Sequence, residues 1–177
     1  MVSVPRSVGQ LPVYYNRKMP YSHDYVEVSQ KPLYPFGYGL SYTTFEYANL
    51  RFFADAQNDR GVAQNGKSVT LSEANGSFAA VSVDVTNSGS LAGDEVVQVY
   101  VRDLVASTVR PRKQLCAFRR VSIGPGETVT VSLPLPRSAF ELVNASYERV
   151  VESGEFELQV GASSEDIRQT LNVTISQ

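Results

Sequence analysis

Apolar and polar side chains alternate with a period of two along much of the chain after residue 40. Val81, Val83 and Val85 are separated by polar residues, and the same alternation recurs at residues 129–133 and 155–160, and again at residues 170–175. Successive side chains of a β-strand point to opposite faces, so this pattern predicts strands with one face in a core and the other in water.

Other segments extend this pattern. In residues 95–102 the odd-numbered valines alternate with Val96 and Tyr100, which predicts a strand covered on both faces. Residues 42–53 and 114–123 predict further strands, as do residues 147–152. A short helical turn fits residues 137–143.

About seven or eight short strands with Gly, Pro and Asn turns between them are typical of a β-sandwich. We therefore predict an all-β fold, an antiparallel two-layer β-sandwich of the immunoglobulin or fibronectin type III kind, over residues 41–177. Residues 1–40 contain five prolines and predict an extended tail and linker. The predicted core positions are Val83, Val99, Leu115, Val131, Phe156, Leu158 and Val173.

Composition limits the functional classes. A length of 177 residues suits one domain with a core of its own. Only 19% of residues are charged and the net charge is −2, so neither nucleic acid nor a membrane surface is a predicted partner. The chain shows no apolar run of about 20 residues and no signal peptide. The single cysteine, Cys116, predicts a small buried side chain, and one histidine gives no basis for a metal site.

Two segments match the residue pattern of a known functional motif but do not predict its chemistry. Residues 61–68 match the phosphate-binding loop pattern letter for letter, but a strand-like segment follows where a helix is required. We interpret them as a hairpin loop. Glu155 and Glu157 have the separation of a glycosidase pair, yet they occupy the solvated face of a predicted strand, where nothing raises the pKa of a general acid. The adjacent acidic pairs at residues 94–95 and 165–166 are interpreted as solvated charges.

The remaining polar motifs are weak. Residues 110–113 are basic, and we interpret them as an extended crossing between strands with solvated arginines or arginines paired to a neighbouring domain. Glycosylation sequons stand at Asn75, Asn144 and Asn172, and the last of these falls on a predicted strand, which is an awkward acceptor.

Two long stretches carry a more specific signal. Residues 8–16 with residues 32–45 resemble the end of the α/β sandwich domain and the linker of glycoside hydrolase family 3. Residues 92–101, 110–115, 118–121 and 125–127 resemble the C-terminal fibronectin type III-like domain of that family. The resemblance implies residues 1–40 as the tail of the preceding domain plus linker, and residues 41–177 as the β-sandwich.

The family consists largely of exo-acting, retaining β-glucosidases and β-xylosidases. Its catalytic Asp and Glu lie upstream of everything matched here, so the resemblance implies a non-catalytic chain, inactive alone, without cofactor or metal. The implied partners are the catalytic domains of a parent enzyme that acts on β-linked gluco- or xylo-oligosaccharides and is periplasmic or extracellular.

The resemblance also suggests roles for aromatic residues. Tyr21, His23 and Tyr25 lie in a connection that in some relatives approaches the leaving-group side of the substrate. A second set is large enough to pack a sandwich against a neighbouring domain. This interdomain set comprises Tyr34, Phe36, Tyr38, Tyr42 and Phe45.

An independent β-sandwich that binds carbohydrate or protein is the alternative. Residues 9–45 argue against it, because a free module has no use for the last strand of another domain.

Overall fold

The computed structural model describes residues 3–10, 14–16, 29–53, 62–63, 68–70 and 79–176. Residues 17–28, with Tyr21, His23 and Tyr25, lie outside them, as do Asn75 and most of residues 61–68.

Two β-sheets form the fold, and both are built mainly from strands that the alternation predicts. The first has the order β2-β1-β4-β7 and the second the order β3-β11-β10-β5-β6, while β8 and β9 form a separate pair. The strands are β1 (Phe45–Phe53), β2 (Val62–Ala63), β3 (Ser68–Thr70), β4 (Ala79–Asn87), β5 (Gly93–Asp103), β6 (Gln114–Ile123), β7 (Thr128–Leu135), β8 (Leu142–Val143), β9 (Arg149–Val150), β10 (Gly154–Gly161) and β11 (Ile167–Ser176).

Among the described strands, the pairings are antiparallel with one exception, since β3 runs parallel to β11. The predicted antiparallel two-layer sandwich is confirmed. The helical turn is shorter than predicted, because a 3-10 helix covers Arg137–Ala139 and β8 follows it.

The core lies between the two sheets and consists of the inward side chains of each. Val83, Val99 and Leu158 are fully buried, and the rings of Phe140 and Phe156 meet edge to face at 5.4 Å. Burying such side chains contributes about 1.5–3 kcal/mol each. Six of the seven predicted core residues are buried, namely Val83, Val99, Val131, Phe156, Leu158 and Val173.

The prediction for Leu115 is wrong, because this side chain is only partly buried and lies outside the core. The register between β5 and β6 shifts by one residue, so that Ala117 pairs with Val99 but Leu115 pairs with Tyr100. An extra residue in one strand moves the following side chains to the other face. Leu115 therefore lies on the outer face of the second sheet.

Asn87 joins the end of β4 to the neighbouring turns from a fully buried position. Its Nδ2 donates hydrogen bonds to the carbonyls of Leu91 at 2.8 Å and Ile123 at 2.9 Å. Its Oδ1 accepts from the hydroxyl of Thr43 at 2.6 Å and from the backbone N–H of Gly89 at 3.1 Å. One side chain thus ties the segment just before β1 to two turns at one end of the sandwich.

The segment before β1 is extended and bonded at a few points. Val4 donates its backbone N–H to the carbonyl of Tyr34 and accepts one from Leu33, both at 2.9 Å, which forms an isolated bridge. Gln10 reaches across with its Nε2 to the carbonyls of residues 29 and 30, each at 3.2 Å. A turn then closes where Tyr38 N–H meets the carbonyl of Pro35 at 3.1 Å.

Within the basic stretch at residues 110–113, Arg112 is exposed, as interpreted, but Arg110 is neither solvated nor left for a neighbouring domain. Arg110 is largely buried, its Nε lies 3.8 Å from Asp103 Oδ2, and its Nη1 donates to the carbonyl of Glu141 at 2.6 Å. Burial raises the pKa of the Asp103 carboxyl, and the Arg110 guanidinium opposes that rise. Arg110 therefore pairs within its own domain.

In the part of the chain that the structure describes, no helix has the length and apolar character needed to cross a membrane.

Candidate functional site

A groove of about 540 Å³ opens on the outer face of the second sheet, between β5, β6 and the linker. The linker, residues 32–40, runs over the sheet and forms one wall of the groove. Gly37 lets its backbone approach Gln98 on β5 closely. The groove is lined by Phe36, Gly37, Tyr38, Gly39, Leu40, Ser41, Asp94, Glu95, Val96, Gln98, Leu115, Phe118, Arg120 and Ala162.

Strand register decides which side chains face the groove. Val96 pairs with Arg120 and Gln98 pairs with Phe118, so these four side chains share the outer face. The valines on either side of Gln98 point into the core instead. The prediction of a strand covered on both faces is therefore correct for Tyr100, which is fully buried on the outer face, and wrong for Val96, which is 37% exposed. Gln98, between them, is buried as well.

The rim of the groove is apolar and exposed. Leu40 is 88% exposed and Phe118 is 69% exposed, and Tyr38 and Val96 add further apolar surface. A second groove of about 520 Å³ adjoins the first and includes Leu40 and Tyr42. Exposed apolar surface of this kind is typical of an interaction site.

Paired charges flank the rim. Arg120 donates to Asp94 Oδ2 at 2.9 Å, and Ser122 also bonds to this carboxylate. The interpretation of Glu95 as a solvated charge is wrong. The residue is half-buried and accepts a hydrogen bond from the hydroxyl of Tyr47 at 2.7 Å. Burial raises the pKa of the Glu95 carboxyl, and the bond from Tyr47 opposes that rise.

Tail and linker aromatics pack against the sheet at the inner end of the groove. The rings of Tyr15 and Phe36 stack at a centroid distance of 4.1 Å, and Tyr15 meets Tyr100 edge to face at 5.8 Å. The hydroxyl of Tyr15 accepts the backbone N–H of Leu115 at 3.3 Å. Lys113 places its ammonium 5.6 Å from the centre of the Tyr100 ring and bonds to the carbonyl of Ser164.

The predicted interdomain residues separate into three environments. Tyr34 and Tyr38 contact each other at 4.9 Å and are each 43% exposed, and Tyr42 is almost fully exposed. Phe36 is half-buried against Tyr15. Phe45 lies in the sandwich core, 6% exposed, so its contacts are internal to the domain.

The candidate carboxylates do not form an enclosed site. Glu155 is exposed, and Glu157 is bonded to Gln159 and lies 3.8 Å from Arg102. Neither lines the two grooves described above. Among the described residues, no cluster of three His, Cys, Asp or Glu side chains could hold a metal ion.

Cys116 and the sequons place no further chemistry at the groove. The Cys116 thiol donates to the carbonyl of Val99 at 3.2 Å, and burial raises its pKa to about 12, which suits an unreactive packing residue. Asn144 organises its own turn by accepting the N–H groups of Ser146 and Glu148, each at 2.9 Å. Asn172 lies on a strand, β11, as predicted, and it is exposed there.

Sequence reasoning missed four residues that shape the groove: Leu40, Gln98, Phe118 and Tyr15. Gln98 carried a usable signal, because a polar residue inside a strand that is apolar on both faces needs a buried partner. Phe118 and Leu40 carried none, since single exposed apolar residues are common on any surface.

Residues 95–164 match the fibronectin type III-like domain family. A β-xylosidase of Formosa agariphila is 40% identical over 179 residues, an alignment that covers 98% of this chain and 22% of that protein. A periplasmic β-glucosidase of Salmonella typhimurium is 37% identical, with 95% of this chain and 21% of that protein covered.

Solved structures agree with these relatives. The β-glucosidase of Listeria innocua, solved in complex with glucose, superimposes with a TM-score of 0.80 at 34% identity, over 99% of this chain and 24% of that chain. The chain contains a fibronectin type III-like domain and corresponds to the C-terminal part of family 3 β-glucosidases and β-xylosidases, which confirms the resemblance. It spans about a fifth of the length of the curated relatives it matches.

Proposed function

We propose that this chain is a non-catalytic structural domain of a β-glycosidase and that it stabilises the catalytic domains by docking against them through the linker-lined groove. The observation that carries the proposal is the exposed apolar rim of that groove, with Leu40 and Phe118 projecting from the linker and from β6. In relatives that match nearly the whole chain, about four fifths of the relative's own length lies outside the match, and this polypeptide supplies a surface to cover the rim.

The interdomain surface that we propose therefore differs in membership from the set predicted from the sequence. It keeps Tyr34, Tyr38 and Tyr42, whose rings are accessible, and adds Leu40 and Phe118. It omits Phe45, which packs inside the sandwich, and Phe36, which packs against Tyr15.

We also propose a division of the chain into residues 1–40, as tail and linker, and residues 41–177, as the sandwich. Its support is that β1 begins at Phe45 and that, among the described residues before it, β pairing is limited to the bridge of Val4 with Tyr34. The substrate class of the parent, β-linked gluco- or xylo-oligosaccharides, rests on the relatives' names alone. The position of Tyr21, His23 and Tyr25 beside that substrate stays a prediction.

A chimera tests the proposed docking. The chain replaces the corresponding quarter or so of the Listeria innocua β-glucosidase, and thermal unfolding is followed in the chimera and in the isolated chain. We expect Phe118→Ser to lower the Tm of the chimera by several degrees while leaving the Tm of the isolated chain unchanged, because this side chain is buried only in the docked state.

Val105→Ser is the matched control, since Val105 is 81% exposed but does not line the groove. It should leave both melting temperatures unchanged. Equal effects of Phe118→Ser on the chimera and on the isolated chain would contradict docking through this groove, and binding of free oligosaccharide by the isolated chain would favour the independent module instead.

A further inference from the structure

The amide of Gln98 is buried on the outer face of the second sheet, where the linker covers β5. The residue is 4% exposed. Its Nε2 donates to the carbonyl of Gly37 at 3.1 Å and to the carbonyl of Ala162 at 2.5 Å. Its Oε1 accepts the hydroxyl of Tyr100 at 2.6 Å. One side chain therefore joins the linker, the turn between β10 and β11, and its own strand.

The chemistry of these partners fixes the orientation of the amide. Carbonyl oxygens only accept hydrogen bonds, so the nitrogen end of Gln98 must face Gly37 and Ala162. The oxygen end then faces Tyr100, whose hydroxyl can donate. Leaving either buried carbonyl without a donor is unfavourable, so the amide favours one arrangement of the two segments over others.

The linker is shaped to receive this amide. Gly37 has a φ of +83°, a conformation that L side chains rarely adopt, and a Cβ there would lie 2.2 Å from Gln98 Oε1. Next to it, the carbonyl of Phe36 accepts the backbone N–H of Ser164 at 2.9 Å. Two neighbouring carbonyls of the linker are thus hydrogen-bonded to the sandwich, that of Phe36 to Ser164 and that of Gly37 to Gln98.

The tail depends on the same contact. Tyr15 packs between the ring of Phe36 and the ring of Tyr100, and its hydroxyl caps the N–H of Leu115. A shift of Phe36 would therefore move Tyr15 away from β6. Release of the linker at Gln98 is expected to expose two backbone groups at a distance, the N–H of Ser164 and the N–H of Leu115.

We propose that Gln98 is a positioning residue that locks the linker in one register against the sandwich and so fixes the direction in which the linker leaves it. The lock is a property of this chain alone. Its importance for a larger enzyme rests on the proposed function, because a locked linker would hold the catalytic domains at a set orientation, whereas a tether would not.

Amide hydrogen exchange measured by NMR on the full 177-residue chain tests the lock. In Gln98→Met, which keeps the volume but removes both donors, we expect the N–H groups of Ser164 and Leu115 to exchange at least about tenfold faster. The N–H of Val83, in the opposite sheet, should keep its rate. Tyr100→Phe, which frees the oxygen end only, should give a smaller acceleration at the same two amides.

Gln169→Met is the matched control, because Gln169 also donates a side-chain hydrogen bond from the second sheet, to the carbonyl of Tyr47 at 3.0 Å, away from the linker. It should leave Ser164 and Leu115 unchanged. Unchanged exchange at these two amides in Gln98→Met would overturn the proposal. An equal acceleration at Ser164, Leu115 and Val83 would also overturn it, because it would indicate general destabilisation.

Exchange in the isolated chain and melting of the Listeria innocua chimera together separate the two proposals. If Gln98→Met releases Ser164 and Leu115 in the isolated chain, the lock stands whatever the chimera does. Loss of the docking effect of Phe118→Ser, with the exchange result intact, would remove the proposed function and leave the lock.

Discussion

Val99 lies at the centre of the second sheet, fully buried and paired with Val160 on one side and Ala117 on the other. Its described neighbours in the core are apolar and offer no partner for a charge. Adjacent residues of a strand can have opposite environments. Gln98, its direct neighbour, is equally inaccessible yet fully hydrogen-bonded, because alternate side chains face opposite surfaces of the sheet.

We expect Val99→Asp to lower the free energy of unfolding by several kcal/mol, because an unpaired carboxylate in an apolar core is strongly unfavourable. That loss is a large part of the roughly 5–15 kcal/mol of an ordinary domain. Urea unfolding measures it. Val8→Asp is the control at a fully exposed valine and should change the free energy by less than about 0.5 kcal/mol. Similar midpoints for the two variants would show that the core lies on the other face of β5.

At the scale of elements, the two sheets are joined by polar contacts as well as by the core. Tyr47 on β1 donates to Glu95 on β5 at 2.7 Å, and Gln169 on β11 bonds back to the carbonyl of Tyr47. Arg168 on β11 also acts on Glu95 and lowers the pKa of its carboxyl, while Asp166 raises it. Burial is the largest influence and raises that pKa overall.

The raised pKa of Glu95 predicts the sign of a pH dependence. The folded protein holds the Glu95 proton to higher pH than the unfolded chain, whose glutamates titrate near about 4.3. The stability of the wild type relative to Glu95→Gln should therefore fall as the pH rises from that value through the raised pKa, and level off above it. The buried Asp103 is present in both proteins and cancels in the comparison.

Denaturant unfolding of the two proteins at a series of pH values measures this difference. Glu46→Gln is the control, since Glu46 is an exposed glutamate next to Tyr47 on β1. Its stability difference from the wild type should show a weaker pH dependence. A Glu95 difference that rises with pH over the same window would show that the hydrogen bond from Tyr47 and the positive charge of Arg168 outweigh burial.

At the scale of the whole molecule, the chain has two sheets, a core and an exposed groove, but no enclosed pair of carboxylates among the described residues. Retaining hydrolysis requires two carboxyl groups that flank the sugar about 5–5.5 Å apart. Glu157 is already engaged by Gln159, and Glu155 faces solvent.

We therefore expect the isolated chain to hydrolyse neither nitrophenyl β-glucoside nor nitrophenyl β-xyloside. The absorbance of released nitrophenol measures this, with the chain at micromolar concentration. The Listeria innocua chimera serves as the positive control. Turnover by the isolated chain that disappears in Glu155→Gln or Glu157→Gln would contradict a non-catalytic role.

Most of the strands and most of the core follow from the sequence, because period-two alternation and turn residues are local signals. The short strands β2 and β8 do not, since they lie where the sequence predicts a hairpin loop and a helical turn. The sequence also carried the family resemblance, which rests on long ordered stretches. It did not determine the environment of Leu115, since a one-residue shift between β5 and β6 is invisible in either strand alone.

Tertiary structure alone decided the groove and its partners. Phe45 and Tyr42 look alike in the sequence, yet one is in the core and the other is almost fully exposed. Arg110 found its carboxylate seven positions back along a loop, at Asp103. The Gln98 amide found carbonyls 61 and 64 residues away. Contacts across such separations depend on how the sheets and the linker pack together, and for that reason periodicity along the chain cannot encode them.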